Sequence, residues 1–183
     1  SYFSYQENPT FAREKFREAL DLIIEAWTKP GPFEWNGKHY YFRYVNPWPR
    51  PYQKPHPPVW IPGTGSLETI ELVAKKRFAY MGIPYFHIDV FRRVFSMFRE
   101  ACERAGYQAK PEQMGWGVPV YVAETDAKAR AEFEPHLWYF IRKHLKNIAL
   151  VPPGYTSPKS ALAALKNRHY FMAAQRTWDD LEK

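Results

Sequence analysis

The stretch His56–Ser66, HPPVWIPGTGS, decides the fold of this chain. Prolines at its start block regular pairing, and the apolar run Val59–Ile61 then predicts a buried strand. A Gly/Thr/Ser turn follows, and the pattern from Leu67 to Lys76 predicts a helix. Such a turn at a helix N-terminus is a common anion cradle, because backbone N–H groups and the helix dipole both favour negative charge there. We therefore expect this turn to hold a phosphate.

A second interpretation of the turn is purely structural. Ser66 can serve as the N-cap of the helix, with Glu68 and Thr69 in the first helical turn. The two interpretations are compatible, because a capping hydroxyl can turn towards a ligand.

Length, composition and charge indicate a globular chain with room for one ordinary domain. The 183 residues are 45% apolar and 25% charged, which excludes a disordered chain. The net charge of +7 suggests a nucleic-acid binder as one alternative. The basic residues are scattered among acidic ones, however, so a solvated surface is the better interpretation and no nucleic-acid partner is expected. Such a surface can still steer an anionic ligand.

Several classes of site and location are not expected. Cys102 is the single cysteine, which excludes an internal disulfide and a Cys-based zinc site, and its place on an apolar helix face indicates an inert core thiol. The histidines lack the spacing of a helical metal site, so no metal is expected. There is no apolar run of transmembrane length and no signal pattern, which favours a soluble cytoplasmic protein without membrane contact.

The order of the predicted elements indicates a parallel α/β fold. Asn36-Gly37, between β-favouring runs, predicts a hairpin. The proline-rich crossing 47–58 is expected to be a pinned, extended loop rather than the ligand of an aromatic groove. The strands are predicted at Val59–Ile61, Phe78–Ile83 and Val118–Ala123, and the amphipathic helices at 9–30, 67–76, 91–105 and 125–149. Thr125 and Asp126 can cap the last of these helices.

Several segments, taken in order, resemble the luciferase-like, flavin-dependent monooxygenase family. The likeness begins with a helix that ends in Trp27 and continues through the hairpin Trp35–Tyr40 and the crossing Tyr44–Pro51. It then includes PPVWIPG at 57–63, ETIE at 68–71, YVAETD at 121–126 and PPGY at 152–155. The likeness covers most of the chain. Each segment alone is unspecific, but their order is specific.

This resemblance implies a TIM barrel with insertions, of which only part is present. The three predicted strands would be strands five to seven of a (β/α)8 barrel. Three strands cannot close such a barrel, and they leave exposed edges and an uncovered apolar face. We expect association, most simply as a homo-oligomer, to cover these surfaces. The predicted single partial-barrel domain, 1–183, comprises a helix at 1–30, a hairpin and proline crossing at 33–58, a βαβαβα core at 59–149 and an insertion or tail at 150–183.

The resemblance also implies a cofactor and its binding residues. Family members use reduced FMN, or a related deazaflavin, with O2 to oxidise a small organic substrate, and a flavin reductase can supply the reduced cofactor. Thr64 stands where some members carry an acid, which removes a negative charge beside the phosphate. Carried over by position, the phosphate site comprises Gly63, Thr64, Gly65, Ser66 and Thr69.

Two further groups of residues are carried over by the same resemblance. Met81, Gly82, Ile83 and Tyr85 would lie near the flavin ring, with ordinary barrel packing as the alternative. Tyr155 and the turn Pro152–Gly154 would belong to a lid or a substrate wall, with a plain helix stop as the alternative.

No catalytic residue follows from the sequence. The chain lacks a Gly-x-Ser-x-Gly elbow, a P-loop and a Rossmann fingerprint. This is expected of flavin monooxygenation, in which the cofactor carries the hard chemistry. A catalytic histidine, where family members use one, would fall outside this segment. The alternative hypothesis is a non-catalytic α/β module that acts through protein–protein association.

Overall fold

The computed structural model describes residues 5, 6, 8–83 and 88–144. The chain divides into two compact units, and the boundary between their main segments follows Pro58. The predictions for Tyr85, the turn Pro152–Gly154, Tyr155 and the tail 150–183 lie outside the described residues. The single-domain organisation stays a prediction, and each unit is described by itself.

The first unit begins with a long amphipathic helix. A 3-10 turn, Pro9–Phe11, leads into α1, Ala12–Thr28, whose Leu20 is buried. The helix ends because proline disfavours the helical conformation of the residue before it. Accordingly Lys29, which precedes Pro30, is extended, with ψ at 128°. The helix predicted from the spacing of apolar residues is confirmed.

An antiparallel hairpin follows α1. Strand β1, Phe33–Asn36, pairs with β2, Tyr41–Val45, and Asn36 lies opposite Tyr41. The Gly37 N–H donates to the Tyr40 carbonyl at 2.9 Å, which closes the loop between the strands. The hairpin predicted at Asn36-Gly37 is confirmed.

Two glutamates of α1 hold the hairpin loop. The Glu18 carboxylate accepts the backbone N–H groups of His39 and Tyr40, each at 2.9 Å, and the Trp35 indole N–H at 3.3 Å. Burial opposes ionisation of Glu18, but these donors lower its pKa below the usual range. Glu14, one helical turn earlier, forms an ion pair with Lys38 at 2.6 Å, and this bond lowers the pKa of Glu14.

Arg50 attaches the proline-rich crossing to the end of α1. Its guanidinium donates to the carbonyl groups of Ala26 at 3.1 Å, of Gly31 at 3.2 Å and of Lys29. A fourth bond, 3.2 Å long, reaches Asn46 Oδ1. The last carbonyls of a helix lack intrahelical partners and carry partial negative charge. A guanidinium donates the missing hydrogen bonds and brings a positive charge to the helix end. The segment is pinned as predicted, but its predicted extended course is interrupted by bends at residues 48–49 and 52–55.

The second unit is built on a parallel sheet. The strands β3, Trp60–Gly63, β4, Ala79–Gly82, and β5, Met114–Trp116, lie side by side in that order. Gly63 lies opposite Gly82, which lies opposite Trp116, so the three carboxyl ends meet at one edge. The helices are α2, Leu67–Lys75, α3, Ile88–Arg104, and α4, Asp126–Tyr139, which continues into a π-helical turn, Phe140–His144.

One face of the parallel sheet is packed and the other is open. Tyr80 and the α3 residues Phe91 and Phe98 are almost fully buried, and the Tyr80 and Phe98 rings lie 6.0 Å apart. Side chains alternate along a strand, so Trp60 and Met81 point to the opposite face. They are 43% and 37% exposed. Within the described residues, the predicted uncovered apolar face is confirmed.

The strand predicted at Val118–Ala123 is wrong. The third strand is Met114–Trp116, and its pairing with β4 ends one residue later, where the Gly117 N–H donates to Gly82 O at 3.1 Å. Pro119 has no N–H to continue the ladder. The apolar alternation that suggested a strand belongs to exposed side chains, since Val120 and Val122 are 75% and 84% exposed.

The ends of the helices follow local rules. The α3 helix ends before Gly106, which adopts a φ of +81°. Thr125 caps α4, because its hydroxyl accepts the Lys128 N–H at 3.2 Å, as the sequence predicts. Cys102 is buried as expected, and its thiol donates to the Tyr107 hydroxyl at 3.1 Å. Among the described helices, none has the length and apolar character required to cross a bilayer.

We predict that Glu18→Ala detaches the hairpin loop from α1. The melting temperature should fall, and amide exchange at His39 and Tyr40 should accelerate, because their N–H groups lose their acceptor. Since folding lowers the pKa of Glu18, its stabilisation is present above the ordinary glutamate pKa and disappears as pH falls through the lowered value. The difference in stability between variant and wild type should therefore narrow as pH falls below the ordinary glutamate pKa.

The matched control is Glu25→Ala on the same helix, where, among the described residues, the carboxylate pairs only with the exposed Lys29 at 2.7 Å. This variant should leave the exchange of both loop amides unchanged. Equal effects of the two substitutions would contradict the role assigned to Glu18.

We also predict that Arg50→Lys lowers the free energy of unfolding by about 1–3 kcal/mol, because an ammonium cannot reproduce the four bonds of the guanidinium fork. Arg43→Lys, at an exposed position on β2, should change stability by less than about 0.5 kcal/mol. Urea denaturation measures both. A loss at Arg50 as small as that at Arg43 would show that the crossing is held in another way.

Candidate functional site

The candidate site is the turn between β3 and α2. In open parallel sheets, ligands bind outside the carboxyl ends of the strands. The chain leaves β3 at Gly63, passes through Thr64 and Gly65, and enters α2 after Ser66. The turn therefore lies at the carboxyl edge of the sheet, and the positive end of the α2 dipole points at it.

Glycine is required twice in this turn. A Cβ on Gly63 would lie 2.5 Å from the Tyr80 hydroxyl oxygen, so that space is already filled. Gly65 adopts a φ of +94°, and a Cβ there would lie 2.8 Å from Val94 Cγ2 on α3. The Gly65 N–H donates to the Tyr80 hydroxyl at 2.8 Å. Both glycines let the backbone close over the Tyr80 side chain.

Two hydroxyls lie together at the start of α2. Ser66 occupies the N-cap position, but its side chain makes no capping bond to the backbone. Its hydroxyl instead donates to Thr69 Oγ1 at 2.8 Å. The structural interpretation of Ser66 is thus right about its position only. The chain uses this hydroxyl to pair with Thr69, which leaves the Thr69 O–H as a donor for a further acceptor.

Backbone donors complete the site. The N–H groups of Thr64, Ser66 and Leu67 donate no hydrogen bond to another described residue. Donors of this kind at a helix N-terminus favour an anion. Glu68, the acid in the first turn of α2, opposes an anion in the same place. Hydroxyls and backbone amides are therefore the donors that the described residues of this turn offer to an anion.

Tyr80 lies beneath the turn and is fully buried. Burial raises the pKa of its phenol to about 12, although the bond from the Gly65 N–H opposes this rise. The phenol is therefore neutral near pH 7 and adds no negative charge beneath a bound anion. Its oxygen acts as an acceptor within the fold.

The other predicted site residues are divided between the two faces of the sheet. Met81 lies on the open face beside Trp60, whose ring packs over Gly115. Gly82 is buried on the packed face, where a Cβ would lie 2.2 Å from the Phe91 ring. The structure thus brings Gly63 and Gly82 together at the ends of paired strands. Of the two β4 residues Met81 and Gly82, only Met81 presents a side chain to an open surface.

Sequence reasoning missed Tyr80 and Trp116. The Trp116 ring packs on Phe91 at 5.4 Å, and its buried indole N–H has no hydrogen-bond partner in the part of the chain that the structure describes. No sequence signal links Tyr80 to a glycine fifteen residues earlier. The run Gly115-Trp116-Gly117 could have drawn attention to Trp116, because a large side chain between two glycines is unusual at the end of a strand. Among the described residues, no group of three His, Cys, Asp or Glu side chains is placed to hold a metal ion.

Similar solved structures share this fold. One is the monooxygenase RslO1 from Streptomyces bottropensis, with a TM-score of 0.69 and 20% identity over 93% of this chain and 54% of that chain. Another is the oxygenating constituent of 3,6-diketocamphane monooxygenase from the CAM plasmid of Pseudomonas putida. This type II Baeyer–Villiger monooxygenase, in complex with FMN, has a TM-score of 0.57 and 19% identity over 75% of this chain and 40% of that chain.

At these identities the likeness shows the fold alone, and the chain spans 54% and 40% of the lengths of these two proteins. No curated protein matches the sequence. The family model for luciferase-like monooxygenases matches residues 4–180. Because that match includes nearly all of the sequence, the chain belongs to the luciferase-like monooxygenase family.

Proposed function

We propose that this chain is part of a flavin-dependent monooxygenase that uses reduced FMN and O2 to oxidise a small organic substrate. We place the flavin phosphate at the turn Gly63–Ser66 and the first turn of α2. The observation that carries the proposal is the convergence, at the carboxyl edge of a parallel sheet, of the Ser66 and Thr69 hydroxyls with backbone N–H groups that have no partner among the described residues. Family membership and an FMN-bound structural neighbour support the choice of cofactor.

The donor set fits a phosphate. A phosphate monoester carries between one and two negative charges and accepts several hydrogen bonds. The Thr69 hydroxyl and the N–H groups of Ser66 and Leu67 would hold it, and Thr64 adds no negative charge. The α2 helix is nine residues long, so its dipole adds to this attraction. Together these donors oppose the repulsion from Glu68.

The flavin ring would lie towards the open face of the sheet. Met81 is the side chain that we propose to contact it, because Met81 and Trp60 present apolar surface there. Gly82 would contribute backbone only, since Phe91 fills the space of its missing side chain. An apolar wall of this kind excludes water from the reacting groups.

Bound reduced FMN would supply the chemistry of flavin with O2, and the residues of this chain would bind and orient it. The absence of a Rossmann fingerprint leaves no recognisable nicotinamide site in the sequence. We therefore propose that a separate flavin reductase provides the reduced cofactor. A deazaflavin would use the same phosphate donors.

We also propose that β3, β4 and β5 are consecutive strands of a (β/α)8 barrel. Their parallel order, with α2 and α3 on one face, is the arrangement that such a barrel repeats. The open face carrying Trp60 and Met81 would then be the barrel interior. The greater lengths of the two structural neighbours support this proposal.

The alternative is a non-catalytic α/β module that acts through protein–protein association. The open apolar face is the observation that favours it. Flavin binding separates the two functions, because such a module has no need of a phosphate site. A full-length protein that binds neither oxidised nor reduced FMN would exclude the monooxygenase and favour the module.

We predict that the double variant Ser66→Ala/Thr69→Val of the full-length protein loses affinity for FMN but not for riboflavin. Loss of the hydroxyl donors should weaken FMN binding about tenfold, which corresponds to one good hydrogen bond to a charged group. Riboflavin lacks the phosphate, so its affinity should be unchanged. Fluorescence titration with both flavins measures the two dissociation constants.

Thr28→Val is the matched control. The Thr28 hydroxyl donates to Ile24 O at 2.7 Å on α1, so the same chemical change occurs in the first unit and not in the turn. Both flavin affinities should stay at their wild-type values. Equal losses of FMN and riboflavin affinity in the double variant would remove the phosphate from this site.

A further inference from the structure

We propose that Tyr80 is the positioning residue of the phosphate site, and that its hydroxyl selects which backbone N–H groups of the turn face a ligand. The inference rests on the proposed flavin-phosphate site and extends it to a residue that would not touch the cofactor. Its basis is a hydrogen bond of 2.8 Å from the Gly65 N–H to the Tyr80 hydroxyl.

The turn lies close to one oxygen atom, that of the Tyr80 hydroxyl. The Tyr80 hydroxyl accepts the Gly65 N–H and lies 2.5 Å from the point where a Gly63 Cβ would stand. Any side chain on Gly63 would displace the phenol. The two glycines on either side of Thr64 therefore close over the same oxygen, and the turn takes its shape from it.

The sheet and the core hold the Tyr80 hydroxyl oxygen in a fixed position. Tyr80 lies on β4, the central strand of the parallel sheet, with Ile61 and Met114 as register partners. Its side chain is fully buried, and its ring lies 6.0 Å from that of Phe98. A group held by packing on a strand is a more precise reference point than a group on a loop.

The backbone N–H groups of the turn point in different directions. Because the Gly65 N–H points inward to Tyr80, it is unavailable to a ligand. The N–H groups that follow, those of Ser66 and Leu67, have no partner among the described residues. Gly65 adopts a φ of +94°, a conformation open to glycine that turns the chain between the inward donor and the outward ones. Tyr80 thus divides the turn into one anchored amide and a set of ligand donors.

Loss of the Tyr80 hydroxyl should change the direction of these N–H groups. Phenylalanine keeps the ring and its packing but leaves the partly buried Gly65 N–H without its acceptor. A buried unsatisfied donor is costly, so the turn should shift to reach water. That shift would move the amides of Ser66 and Leu67 away from the phosphate and leave the ring-binding surface at Met81 in place.

The experiment compares Tyr80→Phe with wild type in the full-length protein. We expect the affinity for FMN to fall about tenfold, as for the loss of one well-placed charged hydrogen bond, while the affinity for riboflavin is unchanged. NMR amide exchange of the flavin-free proteins should show faster exchange at Gly65 in the variant. This second readout does not depend on a bound cofactor.

The matched control is Tyr107→Phe. The Tyr107 hydroxyl donates to Ala74 O at 2.9 Å near the other end of α2, so its loss also removes a hydrogen bond from this helix. The variant should lose thermal stability, yet keep the wild-type ratio of FMN to riboflavin affinity. A purely structural role for Tyr80 predicts that the two tyrosine variants behave alike, and that result would overturn the inference.

Flavin binding by the wild type and by Tyr80→Phe tests the phosphate site and the role of Tyr80 separately. Wild-type protein that binds FMN no more tightly than riboflavin would exclude the phosphate site itself. A wild-type preference for FMN that survives in Tyr80→Phe would overturn only the role of Tyr80. If that variant does not fold, amide exchange in the wild type decides: slow exchange at Gly65 supports the inference, and exchange as fast as in an open loop overturns it.

Discussion

One hydrogen bond joins the loop at the carboxyl edge of the parallel sheet to the core of that sheet. The Gly65 N–H donates to the hydroxyl of the fully buried Tyr80 at 2.8 Å, and a hydrogen bond in the low dielectric of a protein interior is stronger than one in water. The bond fixes the point at which the chain leaves β3 and enters α2. The position of the α2 N-terminus, with its hydroxyls and amides, follows from this contact.

The sheet gives this edge two different sides. On the packed side, Phe91 and Phe98 of α3 cover Gly82 and Tyr80, which fixes the ends of the strands. On the open side, Trp60 and Met81 present apolar surface. A cofactor with an anionic tail and an apolar ring system suits a place where amide donors and an apolar wall meet, and FMN has this composition. The physical arrangement and the family membership both support the FMN site that we propose.

Sequence reasoning succeeded where the signal is local. The Asn36-Gly37 hairpin and the Thr125 cap depend on neighbouring residues, and both were predicted correctly. Reasoning failed at β5, because the strand Met114–Trp116 contains a glycine, and because the β-branched run after Pro119 imitated a strand. A strand that is held by its neighbours in a sheet needs little propensity of its own.

The contacts that shape the site are longer in range, and for that reason the sequence did not reveal them. Tyr80 reaches Gly65 only because α2 returns the chain to the adjacent parallel strand. Glu18 likewise reaches the loop residues His39 and Tyr40 only once α1 and the hairpin have formed. Residue type and spacing predict an anion cradle at this turn, but the direction of its donors depends on these tertiary contacts.

The most direct measurement is a crystal structure of the full-length protein with FMN bound. The account predicts that the phosphate lies within hydrogen-bond distance of the Thr69 hydroxyl and of the Ser66 and Leu67 amides, while the Gly65 amide remains bonded to Tyr80. A phosphate bound elsewhere, with this turn facing solvent, would contradict the account.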